Sequence, residues 1–153
     1  MERIASFSIN HDVLLPGIYT SRVDGDVVTY DIRMVRPNCG EYVSNEALHT
    51  IEHLFATYVR NGPHSAQVVY VGPMGCRTGL YLLVRDSLSP REAIALAAET
   101  MEFIAAYQGE IPGATPRECG NAAEHSLPQA KAAAAPMVPL LRGWTEDRLA
   151  YAQ

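Results

Sequence analysis

Two histidines four residues apart, His49 and His53, lie within a strongly amphipathic segment that constrains the fold more than any other part of the chain. Residues 45–61 repeat apolar side chains at helical spacing, Ser44 is an N-cap candidate, and a Gly-Pro pair follows the segment. The predicted core face carries Ala47, Leu48, Ile51, Leu54, Phe55, Tyr58 and Val59. Because side chains four apart on a helix share a face, both histidines should point together, away from the core.

The polar face of this predicted helix has the composition of a metal site. His49, His53 and Arg60 fall within an arc of about 40°, and Glu52 lies at its flank. Two histidines at this spacing can bind one ion, although an ordinary solvated face can carry the same pair without an ion. Glu52 and the polar isolation of the pair favour the metal interpretation.

A third ligand has to come from elsewhere in the chain, because a catalytic ion usually takes three protein ligands and keeps one position open. Cys119 lies in a predicted loop that leads into a helix, and it is the best candidate. A single cysteine beside glycine is often only a packing residue. His125 is a weaker candidate ligand and fits a hydrogen-bonding structural role better.

A second cysteine, Cys76, lies in the tight connection between two predicted strands, residues 66–71 and 79–85. Glycines on both sides allow close backbone approach, and Arg77 supplies positive charge that favours a thiolate. A thiolate near a metal can act as a base or nucleophile, whereas an inert cysteine at a strand end is the ordinary alternative. Cys39 has no comparable surroundings and receives no role.

The remaining pattern predicts an α+β fold. Residues 26–35 alternate as a strand that places Asp31 and Arg33 on one face, solvated or directed at a site. A capping box at residues 89–92 begins an amphipathic helix that ends near Tyr107, and Ser126 begins a shorter helix. We expect a single compact domain over residues 1–153, with a small antiparallel sheet packed by helices.

Composition excludes several classes of function. The 153 residues carry a formal charge of −5, which disfavours binding to nucleic acid or an anionic membrane surface. No stretch approaches the ~20 apolar residues of a membrane span, and the first residues contain no long apolar core of a signal peptide. Three cysteines are too few for a disulfide scaffold. These features predict a cytoplasmic protein whose cysteines are thiols.

Several segments together resemble the LuxS family of S-ribosylhomocysteine lyases. They occur in the family's order across most of the chain, and H-T-x-E-H-L, P-M-G-C-R-T-G and E-C-G are specific as a set. The matching segments are residues 6–11, 30–34 through 37–38, 49–54 through 60–61, 73–79 and 118–125.

The resemblance implies a homodimer with two sites at the subunit interface and one divalent metal ion per subunit. Fe(II) would be the native ion, replaceable by zinc or cobalt, with water as its fourth ligand. The implied metal ligands are His49, His53 and Cys119; the implied acid-base residues are Cys76 and Glu52; and the implied substrate-binding residues are Ser6, His11, Arg33 and Arg60.

The implied reaction cleaves S-ribosylhomocysteine into homocysteine and 4,5-dihydroxy-2,3-pentanedione, the precursor of the autoinducer-2 signal. The sugar carbonyl has to move until the C–S bond is β to it, so two isomerisations precede elimination. Cys76 would exchange protons at carbon, Glu52 would serve the oxygens, and Arg33 would hold the Cys76 thiolate. The chain departs from the family at Tyr70 and Gly72, where an acidic residue and a serine are common, and residues 143–153 match no pattern.

Two other functions use the same residues. A metalloprotease with this helix motif would take an acidic third ligand, and Glu124 is the nearest candidate. A non-enzymatic zinc domain would need a closed site of four ligands, with Cys76 as the fourth.

Overall fold

The computed structural model describes residues 1–153, and its framework is a four-stranded antiparallel sheet. The strands are β1 (Gly17–Asp24), β2 (Val27–Arg33), β3 (Val68–Pro73) and β4 (Gly79–Arg85). Their order across the sheet is β1-β2-β4-β3, so β2 and β4 are central. The antiparallel pairing of β3 with β4 across the connection that contains Cys76 confirms the sequence prediction.

Four helices accompany the sheet: α1 (Asn45–Arg60), α2 (Pro90–Ala106), α3 (Leu127–Ala134) and α4 (Met137–Arg142). Short 3₁₀ helices cover Ala5–Phe7, Ser65–Gln67 and Glu146–Leu149. None of the helices is both long enough and apolar enough to cross a membrane.

The helices begin where the sequence supplies caps. The Ser44 hydroxyl accepts from the Ala47 amide at the start of α1. Ser89 and Glu92 form a reciprocal capping box at α2, and Ser126 accepts from the Gln129 amide at α3. Each cap satisfies a backbone donor that the first helical turn leaves without a partner. The predicted starts of these three helices are therefore confirmed.

One core joins the sheet to the helices. It takes Ile32 and Leu82 from the central strands, Ile51, Leu54 and Phe55 from α1, and Met101 and Ile104 from α2. The predicted core face of α1 is confirmed apart from the half-buried Tyr58. Thr50 is also fully buried, which the apolar pattern did not predict.

The α+β prediction is confirmed, and the structure adds two elements that the sequence pattern did not show. They are β1, whose second half is exposed at the sheet edge, and the six-residue helix α4. The predicted strand 26–35 shortens to β2. The face that carries Asp31 and Arg33 is not solvated, because their side chains are 0% and 2% exposed.

Candidate active site

A cluster of metal-binding side chains forms where α1 meets the segment between α2 and α3. It contains His49, His53, Cys119 and His125, whose ligand atoms all lie within 4.8 Å of one another. The Cys119 Sγ lies 3.4 Å from the His49 Nε2. Two ligands on one tetrahedral zinc-like ion, at ordinary bond lengths, would be about 3.5 Å apart. The donor set and this spacing fit a single divalent ion.

Backbone carbonyls orient the two helix histidines. The Nδ1 of His49 lies 2.8 Å from the Glu124 carbonyl oxygen, and the Nδ1 of His53 lies 2.8 Å from the Pro112 carbonyl oxygen. Because a carbonyl can only accept, both Nδ1 atoms carry the proton and donate it. The Nε2 lone pairs are therefore available to an ion, and the Nδ1–H bonds to the carbonyls fix the ring orientation, as metal-binding histidines usually have it.

His125 has a different environment, because its Nδ1 lies 3.0 Å from the Thr50 hydroxyl. That buried hydroxyl already accepts from the Ser126 amide, and His125 is its one acceptor partner. Satisfying the buried O–H requires that Thr50 donate to Nδ1, which puts the ring proton of His125 on Nε2. This Nε2 lies 3.9 Å from the Cys119 Sγ, so its N–H is directed at the sulfur.

The charge state of His125 agrees with this tautomer. Burial, followed by the neighbouring His49 and His53, lowers the pKa of His125 below its ordinary value. The neutral ring therefore persists to lower pH than that of a free histidine.

A cleft of about 280 Å³ opens beside the cluster. Its lining residues are Asn45, Leu48, His49, Glu52, Pro73, Met74, Gly75, Arg77, Asn121 and Glu124. It is thus bounded by α1 on one side and by the β3–β4 connection on the other. The side chains of His49 and Glu52 face the same space as the residues that flank Cys76.

The Cys76 thiol is exposed to solvent and is connected to β2 through Thr78. The Thr78 hydroxyl lies 3.0 Å from the Cys76 Sγ and accepts from Arg33 at 2.7 Å, while Arg33 Nη1 lies 4.0 Å from the sulfur. Gly79 permits this approach, because a Cβ there would stand 2.1 Å from the Ile32 carbonyl oxygen. The predicted proximity of Arg33 to Cys76 is thereby observed.

Arg33 is held in its charged form. Burial, the largest single influence, opposes the charge, but the hydrogen bonds to Asp31 and the negative charge of Asp31 together raise the pKa of Arg33. The guanidinium donates to both carboxylate oxygens of Asp31, at 3.1 and 2.6 Å. A buried arginine in this bidentate pair is a fixed source of positive potential beside the thiol.

Other predicted site residues lie apart from the cleft. Ser6 is half-buried in the first 3₁₀ helix, and the His11 Nδ1 lies 2.9 Å from the Ile9 carbonyl oxygen. Neither residue lines the cleft. Arg60 is exposed at the end of α1 and donates to the Val69 carbonyl at 3.0 Å.

The two departures noted in the sequence, Tyr70 and Gly72, are in contact. A Cβ at Gly72 would lie 2.5 Å from a ring carbon of Tyr70 and 2.9 Å from its hydroxyl. The tyrosine ring thus occupies the space that a side chain at position 72 would need. A side chain at position 72 would therefore require the Tyr70 ring to move.

The structure does not bring together the ligand sets that a metalloprotease or a closed zinc site would need. Neither the Glu124 carboxylate nor the Cys76 thiol belongs to the cluster of close ligand atoms, and His125 is the additional member. The Glu124 carboxylate accepts instead from the Asn121 amide at 2.7 Å.

The sequence pattern missed two hydroxyls, Thr50 and Thr78. Thr78 follows Cys76 by two residues in the β3–β4 connection, where strand alternation does not apply because Arg77 has a positive φ of 59°. Thr50 lies inside the histidine motif, but its partner is 75 residues away and no local signal indicated it.

Comparisons with known proteins agree on one family. A family model described as S-Ribosylhomocysteinase (LuxS) matches residues 4–147. A protein of Clostridium acetobutylicum named S-ribosylhomocysteine lyase is 47% identical over 156 residues, covering 99% of each chain. Proteins with the same name from Phocaeicola vulgatus and Borreliella burgdorferi are 48% and 40% identical, and each match covers 99% of this chain. They cover 98% and 99% of those two relatives.

Proposed function

Because the chain belongs to the S-ribosylhomocysteinase (LuxS) family, we propose that it is a carbon–sulfur lyase that acts on S-ribosylhomocysteine. The products would be homocysteine and 4,5-dihydroxy-2,3-pentanedione. The observation that carries this proposal is the cluster of His49, His53 and Cys119 beside a cleft whose opposite wall flanks Cys76. We take residues 1–153 as one catalytic domain.

His49, His53 and Cys119 would hold one divalent ion. Two observations support this ligand set. The backbone contacts of both histidines leave their Nε2 lone pairs free, and the Cys119 sulfur lies at ligand spacing from His49. His125 would donate to the Cys119 thiolate and leave the fourth position open. Fe(II) is the proposed native ion, with zinc or cobalt as substitutes. When bound, the ion supplies Lewis-acid stabilisation of negative charge on the sugar oxygens.

Cys76 and Glu52 would move the protons. The thiolate of Cys76 would remove a proton from one sugar carbon and return it to the neighbouring carbon, which shifts the carbonyl along the carbon skeleton of the sugar. Glu52, a residue of the cleft wall, would exchange protons with the sugar oxygens. A final proton removal by Cys76 at the carbon between the carbonyl and the C–S bond would expel homocysteine.

The positive charge of Arg33 favours the thiolate form that this role requires. Arg60, with Ser6 and His11, would contact the substrate. Since Ser6 and His11 lie outside the cleft of their own chain, we propose that a second copy supplies them in a homodimer. One metal ion per subunit and a cytoplasmic location complete the proposal.

The identity of the products tests the function. Iron-loaded protein is incubated with S-ribosylhomocysteine, and an aromatic 1,2-diamine is added to trap a vicinal dicarbonyl as a quinoxaline. We expect the quinoxaline of a five-carbon dihydroxydione in the mass spectrum, and we expect none from Cys76→Ala of equal metal content. Substrate consumed without this adduct would overturn the proposal.

A further inference from the structure

A continuous series of polar contacts joins the end of the chain to Cys76. The Tyr151 hydroxyl donates to the Asp31 Oδ2 at 2.6 Å, and the same carboxylate accepts twice from Arg33. Arg33 in turn donates to the Thr78 hydroxyl, which contacts the Cys76 sulfur. The Thr78 oxygen accepts from Arg33, and its own proton has two sulfur acceptors, of which the Cys76 Sγ at 3.0 Å is nearer than the Met74 Sδ at 4.0 Å.

We propose that Tyr151 is a positioning residue that tunes the Cys76 thiolate through Asp31 and Arg33. The inference rests on the proposed acid-base role of Cys76. It gives a function to the C-terminal segment, in which no sequence motif was found.

The physical basis of the proposal is that a buried carboxylate needs hydrogen-bond donors from the protein. Asp31 has no exposure to solvent, so protein donors must satisfy its oxygens. The Tyr151 hydroxyl draws part of the Asp31 negative charge toward itself, which leaves more of the Arg33 positive potential for Thr78 and Cys76. Without that donor, the carboxylate would neutralise Arg33 more completely, and the thiolate would be less favoured.

Packing holds the tyrosine in place. The ring of Tyr151 stacks on Tyr19 with centroids 5.0 Å apart and an interplanar angle of 15°. Tyr19 meets Trp144 edge-on at 5.4 Å, and its hydroxyl donates to the Leu15 carbonyl. The chain end is therefore anchored to β1, one strand away from Asp31 in β2.

The other ionisable groups around this series are tyrosines and arginines. Burial, followed by the Asp31 charge, raises the pKa of Tyr19, Tyr81 and Tyr151 above the ordinary tyrosine value. The cations that face the series are Arg33, beside the Cys76 sulfur, and Arg148, near Tyr19. Because iodoacetamide reacts with the thiolate form, alkylation of Cys76 reports directly on the group that the proposal concerns.

Site-specific alkylation measures the effect. Iron-loaded protein is treated with iodoacetamide from pH 5.5 to 9.5, and modification of Cys76 is followed by peptide mass spectrometry. Tyr151→Phe removes only the hydroxyl. Its matched control is Tyr19→Phe, which removes the hydroxyl of the stacked partner, whose acceptor is a backbone carbonyl. Steady-state kinetics with S-ribosylhomocysteine accompany each variant.

For Tyr151→Phe, we expect the pH at half-maximal alkylation rate to rise by about half a unit to one unit, because one hydrogen bond to a charged group is lost. We expect kcat at neutral pH to fall about threefold to tenfold with KM unchanged. Tyr19→Phe should match the wild type in both readouts.

An unchanged alkylation midpoint in Tyr151→Phe, or an equal shift in Tyr19→Phe, would overturn the proposal. The alkylation readout uses no substrate, so it separates this inference from the proposed function. A shifted midpoint in a protein without lyase activity would support the coupling and reject the function. An unshifted midpoint in an active lyase would reject the coupling alone.

Discussion

At the scale of single residues, the site depends on which ring nitrogen of each histidine already makes a hydrogen bond. His49 and His53 use Nδ1 for backbone carbonyls and keep Nε2 free. His125, only 3.8 Å away from His49 by ring centroids, receives a hydroxyl proton at Nδ1 and therefore carries its own proton on Nε2. Four side chains converge, and these assignments support the proposal that three of them would be ligands and one position would stay open.

This distinction predicts different metal contents for two variants. Cys119→Ala removes a proposed ligand and should lose the ion on gel filtration. His125→Gln removes a hydrogen-bond donor to the sulfur and should keep about one ion per chain, with affinity weakened about 10-fold to 100-fold. Metal analysis after dialysis against a weak chelator checks both, and equal loss of metal in the two variants would favour a closed four-ligand site.

Glu52 is the second residue whose role can be isolated. Glu52→Gln keeps the size of the side chain and removes its ability to accept a proton, so turnover should fall at least about 100-fold. Metal content should stay at the wild-type level, because Glu52 is outside the ligand cluster. Stopped-flow turnover and metal analysis on the same preparation measure the two effects; near-normal turnover would remove Glu52 from the mechanism.

At the scale of elements, α1 and the β3–β4 connection form the site because each is fixed by a local signal. Ser44 begins α1 where the amphipathic pattern begins, and Gly79 lets the connection lie against β2. These signals are short in range, so the sequence predicted both elements and the face of α1 that carries the histidines. The placement of His125 against Thr50 and of Tyr151 against Asp31 depends on contacts over 75 and 120 residues, which no local pattern encodes.

The elements that the sequence did not predict are also explained by long-range packing. β1 pairs only with β2, and its last three residues, Arg22, Val23 and Asp24, are exposed. Its inner end is fixed by Trp144, whose ring lies against the Gly17 backbone. The strand therefore depends on a residue 127 positions later (144 − 17), which the sequence pattern cannot reveal.

Gly17 provides a test of this packing. A Cβ at Gly17 would stand 2.1 Å from a ring carbon of Trp144, and Gly17 has a φ of +156°, so Gly17→Ala has to displace the indole and strain the backbone. We expect the free energy of unfolding to fall by about 1–3 kcal/mol in urea titrations. Gly143→Ala is the control, since the new methyl would meet the Pro139 carbonyl oxygen at 3.6 Å, an ordinary contact distance. Equal stability of the two variants would show that the indole moves without cost.

At the scale of the whole molecule, one chain carries the proposed ion site and Glu52 beside a cleft whose opposite wall flanks Cys76, but Ser6 and His11 lie elsewhere. Apolar side chains near the chain start and on the β1 and β3 edge strands are exposed, among them Ile4, Phe7, Val23 and Tyr70. The proposed homodimer would have to bring the first residues of one copy toward the cleft of the other.

Subunit complementation tests whether two chains build each site. His11→Ala and Cys119→Ala are each expected to be inactive alone. Co-expressed, they should recover about a quarter of wild-type activity, because half of the dimers are mixed and each mixed dimer has one intact site. Activity no greater than that of either variant alone would place all the site residues in one chain.

The dependence of thiol release on the ion tests the central claim most directly. Anaerobic, iron-loaded protein is mixed with S-ribosylhomocysteine, and free homocysteine thiol is followed as the ion is removed by chelation and then restored. The account predicts release that falls in proportion to metal content and returns on reloading. Release that continues from the metal-free protein, or its absence from protein with one ion per chain, would contradict a metal-dependent lyase.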